Sequence, residues 1–338
     1  MPGKHLFLLI MALWFSAGVT VHAGDIHHYI FFNRERERIS EASFLETPAI
    51  AGAQLKYTWR ELDHGDDGYK LDSIRRDLKY LNSRGKKLFI QLQDVSFDPS
   101  LVNIPRDMRD NPKYHGGANQ QFEVLDTDPQ EERPVPAGWV ARRWDPEVRQ
   151  RFQKLLQALG QEFDGQIAGI NLPETSVGFG DTGRLYPEGF TPEIYRDAIL
   201  DTMQALKRAF PKSITLQYAN FMPGEWLPDN DHKFLRAIYD SGIQLQVGLG
   251  GPDLLPFQRG QWNHSYPLLK SVSGKVPTGI AVQEGNYQHI NPKTKERMAV
   301  ADMARFAREQ LGVSYLFWST QEPWYSNDVI PYLQSLSR

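Results

Sequence analysis

The 338-residue chain contains no cysteine. That excludes disulfides, thiolate metal sites and a cysteine nucleophile. It also lacks a basic excess: 38 Lys and Arg stand against 41 Asp and Glu, for a formal charge of -3. An extended phosphate-binding surface is therefore not indicated, and nucleic acid is not an expected partner. No G-x-G-x-x-G follows the first strand-like run, which argues against a doubly wound dinucleotide fold, and no G-x-S-x-G elbow supports a serine triad. The one glycine-rich stretch, Gly248-Leu249-Gly250-Gly251-Pro252, is stopped by proline instead of opening a helix. No low-complexity segment or fixed-period repeat beyond a strand–helix rhythm is present.

The only long apolar run is Leu6 to Val19, preceded by Lys4 and His5 and followed by Val21-His22-Ala23. It is shorter than the roughly 20 residues of a spanning helix. Small residues at 21 and 23 suit a signal peptidase, so residues 1–23 read as a secretory signal cleaved after Ala23. Residues 24–338 would then be an exported protein, periplasmic or secreted, with no membrane contact after cleavage. With 41% hydrophobic and 12% aromatic residues, the chain can build a sizeable core.

Along the remaining chain, short apolar runs alternate with segments of helical period, the signature of a parallel sheet with helical crossovers. Eight strands are predicted: Ile26 to Phe32, Ala51 to Trp59, Lys87 to Val95, Ile167 to Leu172, Ser213 to Tyr218, Ile243 to Leu249, Thr278 to Val282 and Val313 to Trp318. The interleaved helices are announced by Leu71, Ile74, Leu78 and Leu81, by Asp145-Pro146, by Thr191-Pro192, by Phe234 to Tyr239, by Pro292 to Leu311 and by Ile330 to Leu336. The helix after strand six, around Tyr266 to Ser271, is poorly marked. The expected fold class is α/β, a single (β/α)8 TIM barrel with a long loop after strand three. That loop, residues 96–144, is rich in Asn, Asp, Pro and Gly and carries Trp139 and Trp144, whose faces would suit sugar rings; its length suggests a lid or binding loop.

Glu174 and Glu284 stand just past strands four and seven, where such a barrel places its chemistry. Two carboxylates converging there can divide the acid and nucleophile roles of glycoside hydrolysis. Other polar residues at strand ends are Trp59, Arg60, Gln91, Gln93, Asp94, Gln217, Tyr218, Asn220, Asp253, Gln283 and Tyr287, of which alternation sends only about half inward. Asn220 and Tyr287 are the ones expected to hydrogen-bond substrate or nucleophile. His27-His28 and the Asp63, His64, Asp66, Asp67 turn lack a convergent ligand set. No metal and no other cofactor is expected.

The segments Tyr57-Thr58-Trp59-Arg60-Glu61-Leu62-Asp63, Gly68-Tyr69-Lys70-Leu71-Asp72 and Gly85-Lys86-Lys87-Leu88 resemble the strand-two region of the large clan of retaining TIM-barrel glycoside hydrolases, clan GH-A, with catalytic glutamates on strands four and seven. The resemblance extends as a pattern over most of the chain. It implies a glycosidase acting on an oligo- or polysaccharide by double displacement, with Glu284 as nucleophile, Glu174 as acid/base and Trp318 as an aromatic platform under the sugar. Trp59, Asn171, Tyr218, Asn220 and Tyr287 would complete the substrate site. Two positions depart from the pattern. Where the clan has Asn directly before the acid/base, this chain has Pro173, with Asn171 two places earlier, and Asp63 replaces a further glutamate or proline. A non-catalytic polysaccharide-binding barrel of an export or assembly system is the alternative those departures keep open.

Overall fold

The structure, a computed structural model, describes residues 26–124, 133–180 and 182–337, so the predicted signal segment, residues 1–23, lies outside the described residues. Eleven strands form in chain order: β1 His27–Phe31, β2 Ile50–Thr58, β3 Lys87–Gln93, β4 Val95–Ser96, β5 Ala118–Val124, β6 Pro134–Ala141, β7 Gly169–Leu172, β8 Ile214–Tyr218, β9 Gly248–Gly251, β10 Thr278–Val282 and β11 Tyr315–Ser319. Eight of them close into a parallel barrel in the order β1-β11-β10-β9-β8-β7-β3-β2, while β4, β6 and β5 form a small antiparallel sheet. The single (β/α)8 barrel expected from the strand–helix rhythm is the architecture observed.

In–out alternation divides the apolar residues into two cores. Tyr29, Phe31, Phe89, Leu216, Ala281 and Phe317 fill the barrel interior, with Phe31 reaching the mouth. Their strand neighbours Ile30, Ile90, Leu249, Ile280 and Trp318 point the other way and pack with the surrounding helices. Several crossover helices begin where capping chemistry requires. Asp145 Oδ1 accepts from the main-chain N–H groups of Glu147 and Val148 at 2.9 and 3.2 Å, opening Pro146–Phe163. Thr191 Oγ1 accepts from Ile194 N at 3.2 Å, opening Pro192–Ala209.

Three elements differ from the sequence expectation. Ile243 to Leu245 belong to the helix Phe234–Leu245, not to strand six, which is β9. The apolar run serves both elements, and Gln246 at φ 56° ends the helix between them. The predicted helix from Pro292 begins only at Val300, because Asn291 to Arg297 turns back on itself through Asn291 N–Glu296 O and Lys295 N–Asn291 O bonds of 2.9 Å each. Residues 96–144 are not a plain loop but carry β5 and β6, which pair antiparallel with each other and with β4.

The glycine-rich stretch is a packing feature. A Cβ on Gly250 would lie 2.1 Å from the Gly279 carbonyl oxygen on neighbouring β10. Gly250→Ala is expected to cost about 1–3 kcal/mol or more as overpacking, read as a lower denaturation midpoint; an unchanged midpoint would contradict this account.

Candidate active site

The barrel's C-terminal mouth opens into a cleft of ≈ 540 Å³ lined by residues from nearly every part of the rim, Glu174 and Glu284 among them. Each glutamate stands two residues past its strand, Glu174 after β7 and Glu284 after β10, with β8 and β9 between them in the barrel wall. The two carboxylates therefore reach one space from separate sides of the mouth.

Glu174 is held on a braced loop. Asn220 continues the inward row Leu216, Tyr218, Asn220, and its Nδ2 donates to Glu174 Oε2 at 2.6 Å. Burial pushes the Glu174 carboxyl up to about 7; the Asn220 bond pulls the other way, nearby Asp253 adds to the rise, and Arg143 opposes it. The loop backbone hangs on Arg143, whose Nη1 donates 2.8 Å bonds to the Glu174 carbonyl oxygen and to Tyr195 Oη. The same guanidinium forms a bidentate pair with Asp94 at 2.6 and 2.9 Å, with both side chains buried. The insertion sheet grips the next residues: Gly178 N donates to Gln121 Oε1 at 3.0 Å, and Phe122 N to the Gly178 oxygen at 2.8 Å.

Glu284 is more open to solvent. Its turn is shaped by Asn286, whose Oδ1 accepts from Gln283 N and Leu254 N at 3.0 Å each while its Nδ2 donates to Asp253 Oδ1 at 3.0 Å. Gly285, at φ 90°, donates its N–H to Gln321 Oε1 at 2.8 Å. Lys56, on the inward face of β2, shares the cleft. Burial and the Arg34 charge lower the pKa of its ammonium group, with the Glu284 and Glu61 charges opposing.

The predicted substrate residues divide by strand face. Tyr218 lines the cleft, and its Oη accepts from Gln54 Nε2 at 3.2 Å. Asn171 lies inside the barrel, fully buried, where its Oδ1 accepts from the same Gln54 amide at 2.8 Å; it supports the site from below. Asn220 reaches Glu174, whereas Tyr287 is buried, stacks on Trp324 and donates to the Ser319 carbonyl at 2.9 Å, steadying the Glu284 turn without lining the cleft.

Trp318 sits on the outward face of β11, donating to His28 Nδ1 at 3.1 Å and meeting Tyr332 edge to face. It is not placed as a sugar platform, because the inward positions of its strand belong to its neighbours. Trp59 is likewise outside the cleft: fully buried, it donates to Asp63 Oδ2 at 3.0 Å and packs edge-on to Phe152 beside a ≈ 20 Å³ void behind the barrel wall. Among the other strand-end residues, Gln91, Gln93 and Gln283 line the cleft, while Asp94 and Gln217 face the wall behind it and Arg60 lies on another surface. In the insertion, Trp144 is buried edge-on to Phe179 and Phe190.

Sequence reasoning missed Lys56, Arg34, Phe97 and Arg143. Continuing the alternation of β2 from Gln54 would have placed Lys56 inward. Phe97, 68% exposed, is an aromatic face on the cleft, but nothing in the loop sequence separates it from Trp139 or Trp144. Among the described residues, no group of three or more His, Cys, Asp or Glu is placed to hold a metal ion, and no helix is long and apolar enough to cross a membrane.

Two outcomes follow from this geometry. Arg143→Met strands a buried Asp94 and should cost about 3–5 kcal/mol in denaturant unfolding; Asp94→Asn combined with Arg143→Met should cost less than the sum of the single changes, and strict additivity would contradict the pair. For Glu174, the folded carboxyl binds its proton more tightly than the usual 4.5, so folding stability falls as pH rises from about 4.5 through about 7. Glu174→Gln should therefore melt higher than the parent at alkaline pH and equally near pH 4, and a pH-independent difference would refute the raised carboxyl.

No family model and no curated protein sequence matches the chain. Solved structures do match its fold. A beta-galactosidase from Bacillus circulans sp. alkalophilus aligns with TM-score 0.53 and 9% identity over 87% of this chain and 50% of that one. The beta-galactosidase from Rahnella sp. R3 aligns with TM-score 0.53 and 10% identity over 95% of this chain and 56% of the other. Xylanase 10B from Thermotoga petrophila RKU-1 aligns with TM-score 0.51 and 10% identity over 87% and 82%. The chain thus spans about half the length of the two galactosidases and most of the xylanase. The resemblance to the TIM-barrel glycoside hydrolases of clan GH-A holds in three dimensions as a shared (β/α)8 barrel.

Proposed function

We propose that the protein is an exported glycoside hydrolase that cleaves an oligo- or polysaccharide with retention of anomeric configuration. The observation that carries this reading is a cleft lined by two glutamates, one past β7 and one past β10, of which the first keeps its proton up to about pH 7. A proton held near neutrality is what a leaving glycosidic oxygen requires, and an open carboxylate from another side of the mouth is what the anomeric carbon requires. Glu284 attacks to form a glycosyl-enzyme while Glu174 donates its proton; Glu174, then ionised, activates the water that releases the sugar. Asn220 orients the Glu174 carboxyl, and Phe97 offers the sugar an apolar face in the role first assigned to Trp318. The likeness to galactosidase and xylanase barrels supports the same reading at the level of fold.

A retaining pair stands about 5 to 5.5 Å apart and an inverting pair about 6.5 to 9.5 Å. The reading is tested by glycan digestion with NMR of the first-formed anomer. The same anomeric configuration as in the substrate is expected, with Glu284→Gln and Glu174→Gln each lowering turnover by roughly a thousandfold or more while glycan binding persists. An inverted anomer would replace the double displacement with attack by water. Binding without released reducing ends would favour a polysaccharide-binding barrel, a reading supported by Pro173, which has no N–H or side-chain donor to offer a sugar 2-hydroxyl where the clan has asparagine.

A further inference from the structure

Two cations line the cleft without a direct hydrogen bond or ion pair from their charged groups among the described residues. Arg34 follows the end of β1, and Lys56 stands two residues past Gln54, the β2 residue paired in register with Phe31. Because β1 and β2 are adjacent, both charged groups rise from one sector of the rim. Among the described residues, neither guanidinium nor ammonium makes a direct hydrogen bond or ion pair; Glu284 and Glu61 act on Lys56, and Arg34 on Asp98, only at longer range. That sets them apart from the neighbouring arginines: Arg36 pairs with Asp77 at 2.9 Å, and Arg38 with Glu41 at 2.7 Å.

The surroundings of these cations are polar and incompletely bonded. The turn at Asn33, in the left-handed region at φ 44°, leads into Arg34 and leaves Asn33 Oδ1 buried without a donor. Gln91, 4% exposed, lines the same cleft with its Oε1 also unpartnered. Asp98, which lines the same cleft and is attracted by Arg34, accepts from the Ser100 N–H and hydroxyl at 2.9 and 2.6 Å. Lys56 is half-buried and Arg34 exposed, and the anions that bear on them are Glu284 and Glu61 for Lys56 and Asp98 for Arg34. During the covalent step proposed above, Glu284 becomes a neutral ester, so Lys56 loses one of the two anions that act on it. A negative group on the substrate would take its place, and the half-buried Lys56 ammonium gains most from such a partner. Sugar hydroxyls would meanwhile donate to the idle oxygens of Asn33 and Gln91.

We infer that Arg34 and Lys56 form a subsite for the anionic substituent of an acidic sugar, so that the glycan bound by this cleft carries a carboxylate or a sulfate ester. The inference rests on the glycan-cleft reading and narrows its substrate class. A planar guanidinium suits bidentate contact with a carboxylate, while the ammonium adds a point charge.

The test is isothermal titration calorimetry on the full mature chain, in the Glu174→Gln background to prevent turnover. The probes are oligosaccharides of polygalacturonate, alginate and hyaluronan, their carboxyl-reduced counterparts, and sulfated galactan oligosaccharides. At least one acidic probe should bind with an affinity that falls as salt is raised, and its neutral counterpart should bind at least roughly tenfold more weakly. Uronates and sulfated galactans separate the two sources of charge. Arg34→Gln and Lys56→Met should each remove roughly tenfold of the acidic affinity while leaving binding of the neutral counterparts unchanged. Thermal melts check that both variants fold, and since neither group supports a structural pair, either one alone suffices. Equal affinity for acidic and neutral glycans, or acidic binding unaltered in both variants, overturns the subsite and leaves the glycosidase reading standing. Acidic binding lost in the variants without any hydrolysis by the parent keeps the subsite and removes the glycosidase. Binding of no glycan overturns both.

Discussion

Closure of eight parallel strands imposes one constraint on which the rest of the molecule depends: each side chain in the wall faces either the barrel axis or the helices, never both. On β8, Leu216 and Tyr218 take the inner face and Gln217 the outer. On β11, Phe317 is inside and Trp318 outside. The lower interior is sealed by aromatic rings such as Tyr29, Phe89 and Phe317, so the polar layer above it, Gln54 with Asn171 and Tyr218, is cut off from solvent below and opens only at the mouth. The open cleft is thereby confined to the upper ends of the strands and the residues just past them.

The second determinant is the insertion after β3. Its sheet delivers Arg143 to Asp94 and to the backbone of the Glu174 loop, and Gln121 to the next residues of that loop. A carboxyl lifted to about 7 by burial is an energetic liability, and the loop bearing it would relax toward water if nothing held it. The buried ion pair resists that relaxation. Fold stability and the placement of the Glu174 loop are thus coupled through one guanidinium, although Arg143 touches only the main chain of Glu174 and not its carboxyl.

Much of the architecture was legible because period and capping are local properties. Asp145-Pro146 and Thr191-Pro192 mark helix starts in the chain itself, and the apolar runs of β7 and β10 are short, buried and followed by glutamates. Local patterns misled where one run feeds two elements, as at Ile243 to Leu249, and where a turn such as Asn291 to Arg297 consumes residues a helix might have used. The expected platform Trp318 illustrates a different failure. Its position at a strand end was read correctly, but which face it takes depends on the phase of β11 against its neighbours.

By itself, the sequence determined the number and order of the barrel strands, the exclusion of cysteine chemistry, and the positions of Glu174 and Glu284 beyond β7 and β10, because each follows from composition or from periodicity within a dozen residues. Tertiary structure alone decided that the two glutamates share one cleft, that Glu174 is desolvated, that Arg143 rather than a residue near in sequence braces its loop, and that Arg34 and Lys56 line the cleft with Glu284. Those facts depend on barrel closure and strand register, which bring together residues more than a hundred positions apart, and no local pattern encodes the solvent exclusion or the charges that result.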